Sequence, residues 1–338
     1  MSPLSYPLVA VVTPLFNGGE YLAEAMDSVQ ELDYPNLVHV ILDNASTDST
    51  PQIVEQYRNR RVPLLTHRRA MTVPMAVNWN AAVDMVPSEA RYFRVLCGDD
   101  TLSPDAISST VAIAERDPAV NVVGCLWRAH GLCGEELPAA RDIFDGKEVA
   151  RGYLRREHNA LSGNHVLVRC SELNAQHPFY DEAIESFDSD ANVRICVRSR
   201  YGFVRRELGV WRVHPNSITN RIAVRTFAHE LCWLSILDRY APQLLGYQDY
   251  TEYRRAYRHH VLRRLLKACV HDRSTQILVR CMERMRRDGD PVRPLDFIGA
   301  IADWTLLTLL RQRHRVGMPS RRKTLRRGAE MAPRAPEY

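Results

Sequence analysis

The chain has 338 residues, 45% of them hydrophobic and 25% charged, with a formal net charge of +5. That balance is the one of an ordinary soluble globular protein, long enough to bury a sizeable core and to form two domains. No stretch approaches the ~18–20 uninterrupted apolar residues of a membrane span, and MSPLSYPLVAVVTP lacks the basic start and long apolar run of a secretory signal.

Eight cysteines include no CxxC pair and no zinc-like spacing. They are expected to be reduced thiols in a cytoplasmic protein. The net charge hides an asymmetry. Residues 1–220 hold 21 Lys+Arg against 28 Asp+Glu, whereas residues 221–338 hold 24 against 12. The two parts face different partners or surfaces.

In chain order, LVAVVTPLF (8–16) is a β-branched apolar run and predicts a buried strand. Gly18-Gly19 breaks it, and residues 21–30 follow at helical spacing. VHVILD (38–43) predicts a second strand, and Ser46-Thr47-Asp48 caps a helix. VPLLTH is a third strand, Met75 to Val86 a helix, and RYFRVL a fourth strand. Thr101, Leu102 and Ser103-Pro104 read as the start of another helix. Alternation of this kind argues for a parallel sheet with crossover helices. Beyond Val122 the pattern weakens to a helix over 147–156, a strand in LSGNHVLVR and a helix late in FYDEAIESFDSDANVRICVR.

From about 221 the chain reads as all helix. Phe227, Leu231, Leu234 and Leu237 form one stripe, and Tyr253, Tyr257, Val261, Leu265 and Cys269 a second. Ile277, Cys281 and Met285 form a third, and Phe297, Ile301, Trp304 and Leu309 a fourth. All are expected to be packing faces. Residues 318–338 are expected to be a disordered basic tail.

Ligands of open α/β sheets bind beyond the carboxyl ends of the strands. Asn17, Asp43-Asn44 and Asp99-Asp100 follow strands one, two and four. Each alone could be a turn or a helix cap. Three aligned strand ends point to a site. Two adjacent carboxylates tolerate each other only if a cation or a hydroxyl shares their charge.

VVTPLFNGGEYLAEAMDSV, ILDNASTDST, LCGDDTLSPDAI, FDSDANVRI and WRVHPNSIT, in this order, resemble the family 2 glycosyltransferases over residues 8–220. The resemblance implies an α/β fold of GT-A type, Rossmann-like, with a mostly parallel central sheet flanked by helices. The expected division is a catalytic domain at 1–220, a helical accessory region at 221–317 and the tail. It also implies an inverting enzyme that moves a sugar from a nucleotide-diphosphate donor, expected to be UDP-linked.

By that resemblance Pro14 and Phe16 lie by the nucleobase, and Asp43 accepts a hydrogen bond from the base. Ala45 stands where the family has glycine, so the turn must avoid positive φ or tolerate strain. Asp99 and Asp100 hold the metal and the nucleotide-sugar, with Cys97 in place of the family's first aspartate; which carboxylate leads stays open. The cofactor is expected to be Mn²⁺ or Mg²⁺, since hard cations take carboxylate oxygens. Asp188 corresponds to the general base, with Phe187 in place of a glutamate. His214 falls where a histidine approaches the metal or the diphosphate. Arg212, Asn78 and Asp190 are secondary candidates, and Asp190 reads equally as a helix N-terminal charge. Arg68 and Arg69 could reach the nucleotide or be surface arginines.

The expected acceptor is a hydroxyl-bearing glycan or glycolipid in bacterial surface polysaccharide assembly. The basic end suggests peripheral contact with anionic membrane at the cytoplasmic face. Two rivals are a nucleotidyltransferase, against which NGGEYL lacks a basic residue, and a catalytically inactive glycan- or sugar-nucleotide-binding protein. No nucleic-acid motif accompanies the arginines, so no nucleic-acid partner is expected.

Overall fold

The computed structural model describes residues 6–129, 132–133, 137, 141–163, 165–214, 217, 227–272 and 275–309. The expected boundary near 220 and the tail at 318–338 lie outside the described residues.

Four strands form the parallel half of one sheet. They are β1 (Val9–Leu15), β2 (Leu37–Asp43), β3 (Leu64–Arg68) and β4 (Tyr92–Val95), in the order β3-β2-β1-β4. β1, β2 and β4 are rich in β-branched or aromatic residues and almost wholly buried, as strands covered on both faces require, whereas the edge strand β3 (LLTHR) is largely exposed. The helices α1 (Leu22–Gln30), α2 (Thr50–Glu55) and α3 (Met75–Val83) lie in the connections between them.

The sheet then becomes mixed. β5 (Thr101–Leu102), α4 (Ala106–Ala114), β6 (Val120–Ala129), β7 (Leu132–Cys133) and β8 (Ile143–Asp145) follow. Next come α5 (Gly146–Leu154), β9 (Val166–Arg169), α6 (Ser171–Ala175), α7 (Phe187–Arg198) and β10 (Arg200–Val210). β9 runs antiparallel to β4 and to β6, and β10 runs parallel to β6. β6 and β10 therefore point the same way as β4, and their carboxyl ends reach the same edge.

Two expectations are corrected here. Thr101-Leu102 begins no helix; it pairs antiparallel with the end of β10, and α4 starts at Ala106. The pattern beyond Val122 conceals the ten-residue strand β6. Gly124 interrupts its apolar run because a Cβ there would stand 1.9 Å from the Tyr201 hydroxyl. Glycine leaves room for that side chain to lie over the strand.

The sheet separates two apolar layers. One face carries Val9, Val11, Tyr92 and Val123 against Ile107 and Val111 of α4. The other carries Ala10, Val12, Val40 and Leu42, in one cluster with Val83 of α3, Val149 of α5 and Val193 of α7. Asp145 starts α5 by accepting from the amides of Lys147 and Glu148, a side-chain N-cap.

The helices α8 (Ala228–Leu245), α9 (Tyr247–Asp272), α10 (Gln276–Arg287) and α11 (Pro294–Leu309) complete the described chain. Leu231, Leu234, Leu237, Val261, Leu265, Cys281 and Met285 are buried in that second layer, so three of the four stripes do pack. Trp233 of α8 meets Tyr153 of α5 with ring centroids 4.9 Å apart. The fourth stripe departs in part: Phe297 packs against the same core, as expected. Ile301 is 48% exposed, beside Leu295 and Ile298 at 74% and 62%. The side chains of Trp304 and Leu309 lie outside the described residues.

Candidate active site

The carboxyl edge of the sheet gathers most of the predicted residues. The loops after β1 and β2 are tied to each other. The Asn17 amide donates to Ser46 Oγ at 2.9 Å, Gly18 to Thr50 Oγ1 at 3.0 Å and Gly19 to Asp48 Oδ2 at 2.9 Å. In return Asn17 Oδ1 accepts from the Thr47 amide at 2.9 Å. Ala45 sits within this hairpin of loops at φ 58°, so the turn tolerates strain rather than avoiding the left-handed region.

Asp43 ends β2 almost fully buried. Its Oδ1 accepts from the Ser46 amide at 2.9 Å. Its Oδ2 is buried, accepts no hydrogen bond and lies in an ion pair with Arg68 Nε at 3.1 Å. That leaves one acceptor atom at the strand end with its hydrogen-bonding capacity unused. Arg68 also donates to the Ser46 carbonyl at 2.7 Å, so it braces the loop while remaining half exposed. Phe16 is 53% exposed beside this corner, whereas Pro14 is buried in β1 opposite Leu42 and offers no open face. Asn78 is buried; it accepts from Arg69 Nε at 3.0 Å and donates to the Leu42 carbonyl at 3.4 Å. It orients the loop and Arg69 rather than facing the cleft.

After β4 the chain turns through Cys97, Asp99 and Asp100. One ligand atom from each lies within 4.8 Å of the others, the one such cluster among the described residues. Asp100 is buried. Desolvation, reinforced by the charge of Asp99, pushes its carboxyl up to about 8, against the Arg212 amide and guanidinium. Two crowded carboxylates fit a hard divalent cation such as Mn²⁺, which takes oxygen donors, while the Cys97 thiol beside them is a softer donor.

The end of β10 lines the same corner. The Arg212 amide donates to Asp100 Oδ1 at 2.9 Å and its Nε to the Asp99 carbonyl at 3.0 Å. Its guanidinium lies 4.4 Å from the Tyr21 ring centre and also pairs with Glu24. His214 Nε2 stands 3.1 Å from Asp99 Oδ2, with its ring 4.8 Å from that of Tyr21. It reaches the centre through Asp99 and is not one of the three clustered ligands. Tyr21 and Glu24 were missed from sequence, because nothing in α1 marks a contact with a residue some 190 positions on.

Asp188 lies in the first turn of α7, partly buried, and burial raises its carboxyl. Its Oδ1 accepts from the Ser189 amide at 2.7 Å. Burial also raises the Tyr180 hydroxyl, and both Asp188 and Cys97 add to that rise. Tyr180, another residue missed from sequence, is therefore near both the β4 turn and α7. Phe187 is buried among Trp79 and Tyr180 as part of an aromatic cluster.

Asp190 is placed elsewhere. Successive α-helical residues turn by about 100°, so residues two apart point to nearly opposite sides. Asp190 is 0% exposed and accepts from Arg239 Nη1 at 3.1 Å and from the Tyr240 hydroxyl at 3.0 Å. Its partners belong to α8, not to the cleft.

The model of the family described as "Glycosyl transferase family 2" matches residues 10–171. The chain is 29% identical over 123 residues to the putative teichuronic acid biosynthesis glycosyltransferase TuaG of Bacillus subtilis, covering 35% of this chain and 46% of that protein. It is 29% identical over 200 residues to the abequosyltransferase RfbV of Salmonella typhimurium, covering 55% and 56%. The chain thus spans about half the length of these relatives.

Among solved structures it is similar to S. aureus TarS in complex with UDP-GlcNAc, with TM-score 0.55, 16% identity and coverage of 68% and 66%. It is also similar to the mannosyltransferase PcManGT of Pyrobaculum calidifontis in complex with GDP-Man and Mn²⁺, with TM-score 0.54, 18% identity and coverage of 70% and 65%. The sheet and these likenesses agree: residues 10–171 match glycosyltransferase family 2, and the fold of the described chain is of GT-A type.

Proposed function

We propose that this chain transfers a glycosyl group from a nucleotide-diphosphate sugar, UDP-linked, to a hydroxyl acceptor with inversion. The observation that carries the reading is the cluster of Cys97, Asp99 and Asp100 at the strand edge that also presents Asp43. Asp43 Oδ2 offers an acceptor to a base N–H, and Phe16 offers an exposed ring to its face. Asp99 and Asp100, with Cys97, would hold Mn²⁺ or Mg²⁺. When bound, such a cation supplies positive charge to the diphosphate leaving group. Arg212 and His214 keep the Asp99-Asp100 turn in place.

The acceptor oxygen attacks the anomeric carbon as the bond from that carbon to the diphosphate oxygen breaks. Asp188 takes the acceptor proton, and its raised pKa makes it a better base than an exposed carboxylate. One relative is named for teichuronic acid biosynthesis and another as an abequosyltransferase, which supports a glycan or glycolipid acceptor here. A lipid-linked acceptor also suits the exposed Leu295, Ile298 and Ile301 of α11 and the basic excess beyond residue 221, both fitted to an anionic membrane surface. No described helix is long and apolar enough to cross a membrane.

The test is nucleoside-diphosphate release from a panel of nucleotide sugars, with and without hydroxyl acceptors. Binding without release by any donor would favour a protein that only holds sugar nucleotides.

A further inference from the structure

Residues 181–186, which lead into α7, form turns rather than a helix or strand. Most of what grips this segment comes from beyond residue 227. Asp181 Oδ2 accepts from Arg239 Nη2 at 2.8 Å. Glu185 accepts from Cys232 Sγ at 2.9 Å and from Arg284. Ser186 Oγ and His229 Nδ1 are 3.5 Å apart. One turn into α7, Asp190 is held by Arg239 and Tyr240. Four side chains within ten residues are thus held by α8 and α10, and Asp188 stands in the middle of them.

The pattern differs from ordinary helix docking. Apolar stripes already attach α8 and α10 to the core, through Leu231, Leu234, Leu237, Cys281 and Met285. A buried carboxylate adds little to such docking, because its desolvation offsets the attraction to its partner. What hydrogen bonds to a buried carboxylate do add is a restricted geometry; Asp190 Oδ1 has two donors, while its Oδ2 has none and faces Arg194 Nη1 at 3.9 Å. Here that geometry is given to one short segment. Arg239 bridges both ends of it, touching Asp181 and Asp190 with different nitrogens. The inner face of α7 is used in turn to shape the cleft. Ser189 Oγ accepts from the Gly163 amide at 3.3 Å, and Asn192 donates to the carbonyls of Leu161 and Gly163 at 3.1 and 2.7 Å.

We propose that the helical region is a positioning element for Asp188. Arg239 and Tyr240, acting through Asp190, set where the Asp188 carboxylate stands relative to the donor edge. The helices beyond residue 227 are then required for transfer but not for holding the nucleotide, whose residues lie in the loops after β1, β2 and β4. The inference rests on Asp188 being the general base. Misplacing a reacting group by about 1 Å can lower a rate ~10²-fold, so small changes at Asp190 should be read in kcat.

The experiment uses the full chain with Mn²⁺ and UDP-glucose, UDP-galactose or UDP-N-acetylglucosamine, whichever the parent protein turns over fastest. It reads UDP release as kcat, UDP affinity by calorimetry, and melting temperature. The variants are Tyr240→Phe, Arg239→Gln, Arg239→Lys and Asp188→Asn. Expected are a kcat loss of about 10-fold for Tyr240→Phe and about 10²-fold for Arg239→Gln. UDP affinity stays within about twofold of the parent, and Arg239→Lys recovers part of the loss.

A kcat for Tyr240→Phe and Arg239→Gln within twofold of the parent, with Asp188→Asn inactive, overturns the positioning role and leaves the base in place. A parallel fall of kcat, UDP affinity and melting temperature overturns it as well, since that is the signature of plain destabilisation. If Arg239→Gln does not fold, Tyr240→Phe decides alone. An active Asp188→Asn, or no UDP release by the parent protein, instead sinks the underlying reading of the base or of the reaction.

Discussion

The imidazole of His214 lies 3.1 Å from the Asp99 carboxylate although 115 residues separate them. One comes from the turn after β4 and the other from the chain beyond β10, and only the shared direction of these strands brings them together. The pair ties the Asp99-Asp100 turn, the proposed cation site, to the chain beyond β10. EDTA is therefore expected to abolish UDP release and Mn²⁺ to restore it. Asp99→Ala should weaken Mn²⁺-dependent UDP binding, measured by calorimetry. Stability should change by less than about 1 kcal/mol, because Asp99 is partly exposed. Full activity in EDTA would refute the metal assignment.

The role proposed for Asp43 is to accept from a base N–H. Uracil, thymine and guanine present such a donor, while the corresponding cytosine nitrogen is an acceptor. UDP should bind at least about 10-fold more tightly than CDP, since an unmatched buried polar pair costs ~1–3 kcal/mol. Asp43→Asn should reduce that preference. Equal affinity of the parent protein for UDP and CDP would remove Asp43 from the base-binding role.

Asp188 and Asp190 offer a paired comparison. Asp188→Asn keeps size but cannot take a proton, and transfer is expected to fall by ~10²–10⁴ with UDP binding retained. Asp190→Asn keeps hydrogen bonding to Tyr240 and Arg239 and should lose less. Loss of transfer in Asp190→Asn with full activity in Asp188→Asn would reverse the assignment.

Three buried histidines predict the acid response. Burial depresses His39 and His165 to about 3 and His158 to about 4. Their folded pKa values lie below the unfolded value near ~6.5, so the unfolded chain takes up protons first as the pH falls. The stability these rings contribute is complete above pH ~6.5 and is lost progressively toward pH 4 and then 3. The melting temperature should fall over that window. His39→Gln should flatten the fall, although it disturbs the 2.9 Å contact with Thr13 Oγ1. An unchanged acid slope in that variant would exclude His39 as a contributor.

The exposed face of α11 predicts a membrane response. The chain should co-sediment with vesicles containing anionic lipid at low salt and be released at high salt, each basic residue near the surface contributing ~1 kcal/mol. Leu295→Ser with Ile298→Ser should weaken the binding without lowering the melting temperature, since both side chains are exposed. No co-sedimentation at low salt would exclude this surface.

The sequence by itself determined the parallel half of the sheet and its polar edge. β1, β2 and β4 are short β-branched or aromatic runs ending in Asn17, Asp43 and Asp99-Asp100, and period and punctuation are local properties of the chain. The same holds for the apolar stripes of α8 to α10. β6 and β10 were not legible, because Gly124 answers to the Tyr201 hydroxyl and the charges of RYGFVRRELGV hide its strand. The outward turn of Ile301 was equally hidden, since a stripe says which residues share a face and not whether anything covers it. The division between Asp188 and Asp190 needed the structure too. Both lie in one short acidic motif, and only the helix they share and the arrival of Arg239 and Tyr240 from α8 leave one partly exposed and bury the other. Contacts between residues far apart in sequence depend on how the strands are ordered, and strand order is a property of the whole fold.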